Sequence, residues 1–405
     1  MFRGNYLDIS RITKDNNVLK IFKIVRQHGG VVRFVGGAVR DALVGINASN
    51  LDLSTDLSPD ELAEACEDAG IRTVPIGLKI DTLGVVLGNN LLEISSLRKQ
   101  NKDRKNREVE FTDNWEEDAS RRDLTINAVY ADESGNVFDY YNGIEDLEKG
   151  VVRFIGEPEA QIKEDYSRIL RFFRFYSLFG KAPIDAKSLK ACKNNLTGLK
   201  ALPVERIHDE FIKILLTPKA AETLKIMFEN NILSNWLPDS PYLEDLQKLA
   251  NLEKKYGFMP DAVRRFAALY RPDKILAENI ATRMKSTKHQ KEALLKLVSE
   301  NCSIEDLQDP LKQKQYIYRY GKDFCLSKLL LEEAHNRGEE KISTALIAQI
   351  QAATVPVFPL TGKDIIKHGI SGNAKIGAAR EYLEQVWFES GFELNRDELL
   401  AKIKP

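Results

Sequence analysis

Two kinds of hydrophobic spacing divide the chain. Between Val18 and Val25 apolar residues recur at helical intervals, which predicts that the first thirty residues are largely helical. From Val31 onward, short β-rich runs end at glycine or polar turns, a pattern typical of strands, and Gly135-Asn136 is typical of a hairpin turn. The chain up to about residue 150 is therefore predicted to be a mixed α+β domain. Its predicted strands are residues 31–35, 51–53, 82–87, 91–94 and 128–130.

Strand signals nearly vanish beyond Glu157-Pro158. Leu, Ala, Lys and Glu dominate, and prolines interrupt them at intervals, so we expect a series of helices of moderate length. The stretch 354–359, which contains two prolines, is predicted to be a linker into the last helical segment. The fold class is thus α+β, with all-α domains after the mixed domain. The predicted segments are 1–30 (helical), 31–150 (α+β), and 151–225, 226–353 and 354–405 (all helical).

Composition narrows the class of protein. The 405 residues are 43% hydrophobic and 29% charged, which is ordinary for a globular protein of several domains and excludes a disordered or fibrous chain. Lys and Arg number 59 and Asp and Glu 60, so the net charge of −1 excludes an overall basic nucleic-acid coat but allows local basic patches. The four cysteines form no zinc or disulfide pattern, which fits a reducing compartment. Since the chain has no long apolar run and no signal-peptide core, we expect a cytoplasmic protein.

The first candidate site follows the strand that ends at Val35. Gly36 and Gly37 carry no side chains, so backbone N–H groups at this turn can approach a phosphate, and the helix that follows adds partial positive charge. Arg40, one turn into the helix, can donate a charge-assisted hydrogen bond to the same phosphate. The plainer alternative is a Gly-Gly turn without a ligand.

The second candidate is a metal site on the next strand. Residues 50 and 52 point to the same side of a strand, and two carboxylates in such positions commonly hold magnesium for phosphoryl transfer. Here Asp52 is a carboxylate, Asn50 offers a neutral and weaker oxygen ligand, and Glu93 is the best candidate for a further carboxylate. The alternative is that Asp52 only caps a turn.

The third candidate is a charged stretch from Glu117 to Ala128. Within it, Arg122 is a candidate to neutralise phosphate or to bind the sugar edge of a nucleotide. Asp123 is a candidate to orient an arginine. A solvated surface patch is the alternative interpretation.

The fourth candidate is a helix with a polar row. Asp165, Arg168 and Arg171 recur every three residues and are therefore predicted to line one helix face, which Arg174 continues less closely. The other positions are apolar, so the helix is at least half buried and its arginines need partners. An aspartate beside an arginine presents an acceptor next to donors, which matches the edge of cytosine or adenine but not that of uracil or guanine. The alternative is an internal salt bridge.

The order of these four motifs resembles that of the class II tRNA nucleotidyltransferases, the CCA-adding enzymes, and of the related bacterial poly(A) polymerases. The family pattern is GGxVRD, DxD, RRDFTxNA and EDxxRxxRxxRF. This chain has GGAVRD at 36–41, NLD at 50–52, RRDLTINA at 121–128 and EDYSRILRFFRF at 164–175. The resemblance is strong over residues 31–215. It implies a nucleotidyltransferase palm with a mixed five-stranded sheet as the head (31–150), followed by a helical neck (151–225), body (226–353) and tail (354–405).

The resemblance also implies roles for the candidate residues. The glycine turn and Arg40 would contact the triphosphate. Positions 50 and 52 would ligate Mg²⁺, with Glu93 as the further catalytic carboxylate. Asp165 and Arg168 would act as a protein template that reads the base. The implied nucleotide-binding residues are Gly36, Gly37, Arg40, Arg122, Asp123, Asp165, Arg168, Arg171 and Arg174.

The implied reaction is template-independent addition of C, C and A to the 3′ end of tRNA. The tRNA 3′ hydroxyl attacks the α-phosphate of CTP or ATP, and pyrophosphate leaves. The helical neck, body and tail are expected to hold the tRNA acceptor arm and elbow, largely through phosphates. Arg283, Lys285, Lys288 and Lys291 are candidates, with a solvated charged helix face as the alternative. No membrane and no obligate protein partner are expected.

Two departures from the family pattern leave alternatives open. Asn50 replaces the first metal carboxylate, which is expected to weaken metal binding and slow catalysis. The loop from Arg98 to Arg107 lacks the family's acid-glycine-arginine stretch and carries six basic residues against one acidic residue, so an enzyme that adds only CC or only A is one alternative. A poly(A) polymerase is another, although such enzymes usually add a basic C-terminal extension. The alternative from a different functional class is a catalytically impaired homologue that binds tRNA.

Overall fold

The computed structural model of the protein describes residues 6–48, 51–76, 81–99, 109–238, 242–271 and 273–403. The chain divides into two units. Unit 1 comprises Met1–Ile214 and Ile226–Asn235, and unit 2 comprises Leu215–Lys225 and Trp236–Pro405. The strands all belong to unit 1, and the described part of unit 2 is built from helices.

The sheet of unit 1 has seven strands in the described part of the chain. Their order is β3-β4-β5-β2-β1-β6-β7. Neighbouring strands are antiparallel except β2 and β5, which run parallel, so the predicted mixed α+β domain is confirmed. The strands are β1 Val32–Val35, β2 Asp52–Thr55, β3 Thr73–Pro75, β4 Thr82–Leu87, β5 Asn90–Ser96, β6 Val129–Ala131 and β7 Val137–Asp139.

The number of strands differs from the five that were predicted. The additional strands, β3 and β7, lie at the two edges and have three residues each. β7 pairs with β6 across the predicted turn, where Gly135 has a φ of 88° and a Cβ would lie 2.2 Å from the carbonyl oxygen of Leu7. β3 ends in Pro75, which has no N–H for a ladder, and three residues are too few for an alternating pattern to reveal a strand.

Helices pack on the sheet and continue beyond it. α1 begins after Asp15, whose carboxylate accepts the N–H of Asn17 at 2.8 Å, and it buries the apolar residues whose spacing predicted it. α3 begins with a capping box between Ser58 and Glu61. The helices up to residue 229 are α1 Asn16–Gln27, α2 Gly37–Leu43, α3 Pro59–Asp68, α4 Trp115–Ser120, α5 Gly143–Lys149, α6 Pro158–Glu164, α7 Arg168–Phe179, α8 Ala186–Asn194, α9 Leu196–Leu199, α10 Val204–Leu215 and α11 Ala220–Glu229, with 3₁₀ turns at Ile9–Arg11 and Thr125–Asn127.

The two faces of the sheet have different cores. On one face Phe34 and Leu53, partners on β1 and β2, are buried, and the ring of Phe22 from α1 lies 4.9 Å from that of Phe34. On the other face Val35 and Tyr130 pack with residues of α4. Since side chains alternate along a strand, the neighbours of Leu53 on β2 belong to this second face, which carries the candidate site.

Unit 2 confirms the predicted series of helices. α18 lies at its centre and packs against α12 and α13. Residues 354–359, the predicted linker, have no regular structure and lie between α19 and α20. Over the described ranges, no helix has both the length and the apolar character that crossing a membrane needs. The helices are α12 Leu243–Tyr256, α13 Ala262–Tyr270, α14 Lys274–Arg283, α15 Lys288–Ser299, α16 Ile304–Gln308, α17 Pro310–Tyr320, α18 Lys322–His335, α19 Thr344–Ala352, α20 Gly362–Lys367, α21 Asn373–Glu389 and α22 Arg396–Leu400.

Candidate nucleotide-binding site

The glycine turn lies where β1 passes into α2. Gly36 has a φ of 66°, a left-handed conformation that glycine adopts without strain. A Cβ atom at Gly36 would lie 3.9 Å from Nη1 of Arg122, and one at Gly37 would lie 3.7 Å from Nη2 of Arg40. The turn therefore has two guanidinium groups beside it, and this combination of small residues and positive charge suits a polyphosphate.

Two carboxylates are neighbours on the sheet. β2 and β5 run parallel, and their register pairs Asp52 with Glu93. Paired residues of adjacent strands project to the same face, so these side chains lie beside each other. Asp52 is the exposed first residue of β2, a position in the strand rather than at a turn cap. Asn50, the other predicted metal ligand, lies outside the described residues.

The carboxylate pair suits magnesium. Mg²⁺ in phosphoryl-transfer sites takes one or two protein carboxylates and completes its shell with water and substrate phosphates. No group of three or more His, Cys, Asp or Glu side chains in the described ranges could hold a metal. Within the described residues, Asp52 and Glu93 are the carboxylates that this edge of the sheet offers to a metal.

Arg122 connects the carboxylate strand to its surroundings. Its Nε donates to the hydroxyl of Tyr130 at 3.0 Å, and its Nη2 donates to Asp118 at 3.0 Å and to Ser54 at 3.2 Å. Ser54 follows Asp52 by two residues and so lies on the same face. Burial acts to lower the pKa of Arg122, but Tyr130 and Asp118 outweigh it and raise the pKa above its usual value, so the side chain is charged.

Asp118 belongs to the site although no prediction named it. The residue is 0% exposed, and its carboxylate accepts from the hydroxyl of Tyr130 at 2.8 Å and binds Arg121 and Arg122. Burial acts to raise the pKa of Asp118, but the two arginines lower it below its usual value. The spacing of three and four residues between Asp118 and these arginines is the signal that identifies such a partner.

A chain of hydrogen bonds joins α2 to α7. Nη1 of Arg40 donates to Oδ1 of Asn127 at 2.6 Å, and Nδ2 of Asn127 donates to Oδ1 of Asp123 at 3.0 Å. Oδ2 of Asp123 accepts from Nε of Arg171 at 2.7 Å, so Asp123 orients an arginine as predicted. Burial acts to raise the pKa of Asp123, but Arg171 and Asn127 lower it below its usual value. Arg40 is 7% exposed and also binds Asp41 at 2.7 Å.

Three of the predicted arginines lie around the buried ring of Phe175. The guanidinium carbons of Arg40, Arg171 and Arg174 lie 4.9, 5.7 and 4.2 Å from the ring centroid. Arg174 donates from Nε to Glu210 of α10 at 2.7 Å. The predicted need of the arginine row for partners is thus met by an aromatic face and by carboxylates.

The prediction that Asp165 shares a helix face with the arginines is wrong. α6 ends at Glu164 and α7 begins at Arg168, and Asp165 between them is extended, with a φ of −144°. Its Oδ1 accepts the N–H of Ser167 at 2.9 Å, a local bond that competes with helix formation. Its Oδ2 lies 3.4 Å from Nη2 of Arg206, a residue that no prediction placed in the site.

Arg168 has partners other than Asp165. It binds Glu164 at 2.8 Å and also Gln161, and its Nη2 donates to the carbonyl oxygen of Arg121 at 2.8 Å. The predicted base-reading pair thus stands at the start of α7 without a mutual side-chain hydrogen bond among the described contacts.

The predicted tRNA-binding residues lie in unit 2, from the end of α14 into α15. The side chain of Lys288 is 90% exposed, and Lys291 binds Glu278 at 3.0 Å. Their contact with tRNA stays a prediction.

The fold and site together define the class of protein. A family model described as "Poly A polymerase head domain" matches residues 32–153, the range that holds the glycine turn, the carboxylate pair and Arg122. A second model, "Probable RNA and SrmB- binding site of polymerase A", matches residues 183–243. The protein is thus a nucleotidyltransferase whose head domain matches this family model.

Relatives narrow this class to one family. The human "CCA tRNA nucleotidyltransferase 1, mitochondrial" is 35% identical over 382 residues, which cover 92% of this chain and 86% of the human protein. The "CCA-adding enzyme" of Streptococcus pneumoniae R6 is 30% identical, with 95% of this chain and 96% of that protein covered. The chain belongs to the CCA tRNA nucleotidyltransferase family, as the resemblance of its motifs indicated.

A solved structure supports the fold. The crystal structure of the Bacillus stearothermophilus CCA-adding enzyme in complex with CTP matches with a TM-score of 0.73 at 24% identity, and the match covers 95% of each chain. The α+β head and the helical domains after it are therefore the fold of this family.

Proposed function

We propose that the protein adds C, C and A to the 3′ end of tRNA from CTP and ATP and releases pyrophosphate. The observation that carries this proposal is the parallel register of β2 and β5. It pairs Asp52 with Glu93 on the strand face where Arg122 binds Ser54. The names of the human and streptococcal relatives support the tRNA substrate and the CCA product.

The glycine turn and the arginines beside it would hold the triphosphate. Asp52 and Asn50, with Glu93 as the further carboxylate, would hold Mg²⁺, which when bound neutralises phosphate charge and lowers the pKa of the attacking hydroxyl. The tRNA 3′ oxygen forms the new ester bond to the α-phosphorus. The bond from that phosphorus to the oxygen shared with the β-phosphate breaks, so pyrophosphate leaves with the electron pair and the hydroxyl proton passes to solvent.

Base selection would fall to the start of α7. The carboxylate of Asp165 is 37% exposed and can accept from the exocyclic amine of cytosine or adenine, and Arg168 supplies the donors. Uracil and guanine place an acceptor where the amine should be, which leaves the carboxylate unpaired and costs about 1–3 kcal/mol. Arg171 and Arg174 would contact the rest of the nucleotide.

The direct test is the variant Asp52→Asn, assayed with tRNA lacking CCA, Mg²⁺ and labelled CTP and ATP. We expect the wild-type protein to extend the tRNA by three nucleotides on a sequencing gel. The variant should lose roughly 10²–10³-fold in rate, because a metal ligand contributes several kcal/mol to transition-state stabilisation. Asp60→Asn, an exposed aspartate on α3, is the matched control and should keep the wild-type rate. An Asp52→Asn variant of normal rate would contradict the proposal.

The amide at position 50 supports a second candidate, a catalytically impaired or partial-specificity homologue. In the same assay, Asn50→Asp should raise turnover many-fold if position 50 is a metal ligand. Incorporation only in that variant would identify an impaired enzyme, and none in either protein would identify a tRNA-binding homologue. A product that stops at CC or gains only A would identify a partial enzyme, and long A tails on unrelated RNA a poly(A) polymerase.

The tRNA acceptor arm and elbow would be held by the helical domains through phosphate contacts. Binding should therefore weaken as salt is added. We place the protein in the cytoplasm on the pattern of its cysteines, whereas the human relative is mitochondrial by its name.

A further inference from the structure

Asn127 occupies a buried position where one side chain both accepts and donates a hydrogen bond. It lies in the 3₁₀ turn Thr125–Asn127 and is 7% exposed. Its Oδ1 accepts from Arg40, and its Nδ2 donates to Asp123. An amide offers an acceptor on one side and a donor on the other, whereas a carboxylate offers acceptors only and a hydroxyl is too short to span both.

The two partners of Asn127 come from distant parts of the chain. Arg40 is 87 residues away and belongs to the helix that follows the glycine turn. Asp123 binds Arg171, which is 48 residues further along and belongs to α7. One amide therefore connects Arg40, which is assigned to the triphosphate, with Arg171, which is assigned to the part of the nucleotide other than the base.

We propose that Asn127 is a positioning residue that fixes Arg40 and, through Asp123, Arg171 in the arrangement that binds the incoming nucleotide. The role rests on the proposed function of this site. It requires the orientation of the amide, since a reversed amide would lose both contacts, and a carboxylate at position 127 would keep the contact with Arg40 but lose the donor to Asp123.

The test is Asn127→Asp, which keeps the shape of the side chain and replaces the donor by a second carboxylate. At about pH 8 the new carboxylate faces Asp123 and repels it, so we expect the KM for CTP and ATP to rise together by about tenfold or more, with kcat changing far less. As the pH falls toward about 5, the two carboxylates can share a proton, which restores the hydrogen bond. The KM of the variant should then approach that of the wild type. The charged groups around this pair are Arg40, Asp41, Arg171 and Arg174.

Asn195→Asp is the matched control. Asn195 is also 7% exposed, and its Nδ2 also donates to a carboxylate, that of Glu159, at 3.2 Å. Its described hydrogen bonds run to Glu159 and Ala191 and not to the nucleotide arginines, so its substitution should lower the thermal midpoint without the pH-dependent change in KM. Equal pH profiles of KM for the two variants would overturn the proposal, as would a wild-type KM in Asn127→Asp at about pH 8.

Equilibrium binding of CTP separates this inference from the proposed function. Asn127→Asp should bind CTP about tenfold more weakly than wild type at about pH 8 and should recover as the pH falls toward about 5, whether or not nucleotide is incorporated. A wild-type protein that binds CTP but does not extend tRNA would contradict the proposed function alone. Unchanged CTP binding in the variant would overturn the role of Asn127 alone.

Discussion

Two arginine clusters, one in each unit, use their hydrogen-bond donors in different ways. In unit 2, Arg264 and Arg265 both bind Glu253, and all three residues are at most 5% exposed. Arg265 donates from Nε to Glu253 at 2.8 Å and from Nη1 to the carbonyl oxygens of Leu215 and Thr217 at 2.6 and 2.8 Å. The donors of this cluster thus form hydrogen bonds within the protein.

In unit 1, Arg171 and Arg174 of α7 are held differently, whereas Arg168 of the same helix binds Glu164, Gln161 and the carbonyl oxygen of Arg121. The hydrogen bonds that Arg171 and Arg174 donate to described protein groups run from Nε, to Asp123 and Glu210. The side chain of Arg171 is 38% exposed. A guanidinium has five N–H donors. A guanidinium that binds a carboxylate through Nε is oriented by that bond, and its terminal N–H groups can donate to a ligand. The difference supports a structural role for Arg264 and Arg265 and the proposed nucleotide-binding role for Arg171 and Arg174.

The largest effect is expected when the unit 2 cluster is broken. Arg265→Met leaves the buried carboxylate of Glu253 with one fewer partner and should lower the free energy of unfolding by about 3–5 kcal/mol, measured in urea. The KM for CTP should not change. Lys255→Met, which removes an exposed ion pair with Glu340, is the control and should have little effect on stability. A large rise in KM for CTP in Arg265→Met would break the distinction between the two clusters.

Arg171→Lys is expected to lower kcat/KM strongly and to change the free energy of unfolding little. The lysine can keep a charged contact with Asp123 but lacks the planar fork of donors, so the complex with nucleotide loses charge-assisted hydrogen bonds. At about 1.5–3 kcal/mol per bond, kcat/KM should fall by roughly 10–100-fold, while the free energy of unfolding changes by less than about 1 kcal/mol. A variant with a normal kcat/KM and a marked loss of stability would show that Arg171 is structural, as Arg265 is.

Local signals carried most of what the sequence predicted. The spacing of apolar residues predicted α1, and Gly135-Asn136 predicted the hairpin between β6 and β7. The arginine spacing predicted a helix whose partners had to be carboxylates or a ligand, and Arg174 indeed binds Glu210. These features depend on residues within one or two turns of each other, so periodicity can reveal them.

Contacts between distant segments could not be predicted in this way. The side-by-side position of Asp52 and Glu93 comes from the register of two parallel strands, which no local pattern specifies. Asp165 was misplaced because its bond to the N–H of Ser167 ends α6 and its contact with Arg206 joins residues 41 apart. The role of an amide such as Asn127 likewise depends on partners that only the fold brings together.

The smallest expected effect concerns a histidine of unit 2 and sharpens the comparison through pH. Nε2 of His335 lies 3.9 Å from the buried carboxylate of Asp245, which Arg271 and Arg337 also bind. Burial lowers the pKa of His335 below its usual value, more than Asp245 raises it. The unfolded chain therefore takes up this proton first, so the stabilising contribution is complete above about pH 6.5 and is lost as the pH falls below it.

We expect the thermal midpoint of the wild-type protein to fall as the pH is lowered from about 7 to about 5.5. In His335→Gln the midpoint should fall less. The difference between the two proteins should be smaller than the effect of Arg265→Met on stability. The pH profile of the KM for CTP should be the same in both proteins, because His335 lies beside Asp245 in unit 2 and the proposed nucleotide site lies in unit 1. An equal fall of the thermal midpoint in both proteins would show that protonation of His335 is not what destabilises the fold. A changed KM for CTP in His335→Gln with an unchanged thermal midpoint would instead link His335 to nucleotide binding, the role that we propose for the α7 arginines.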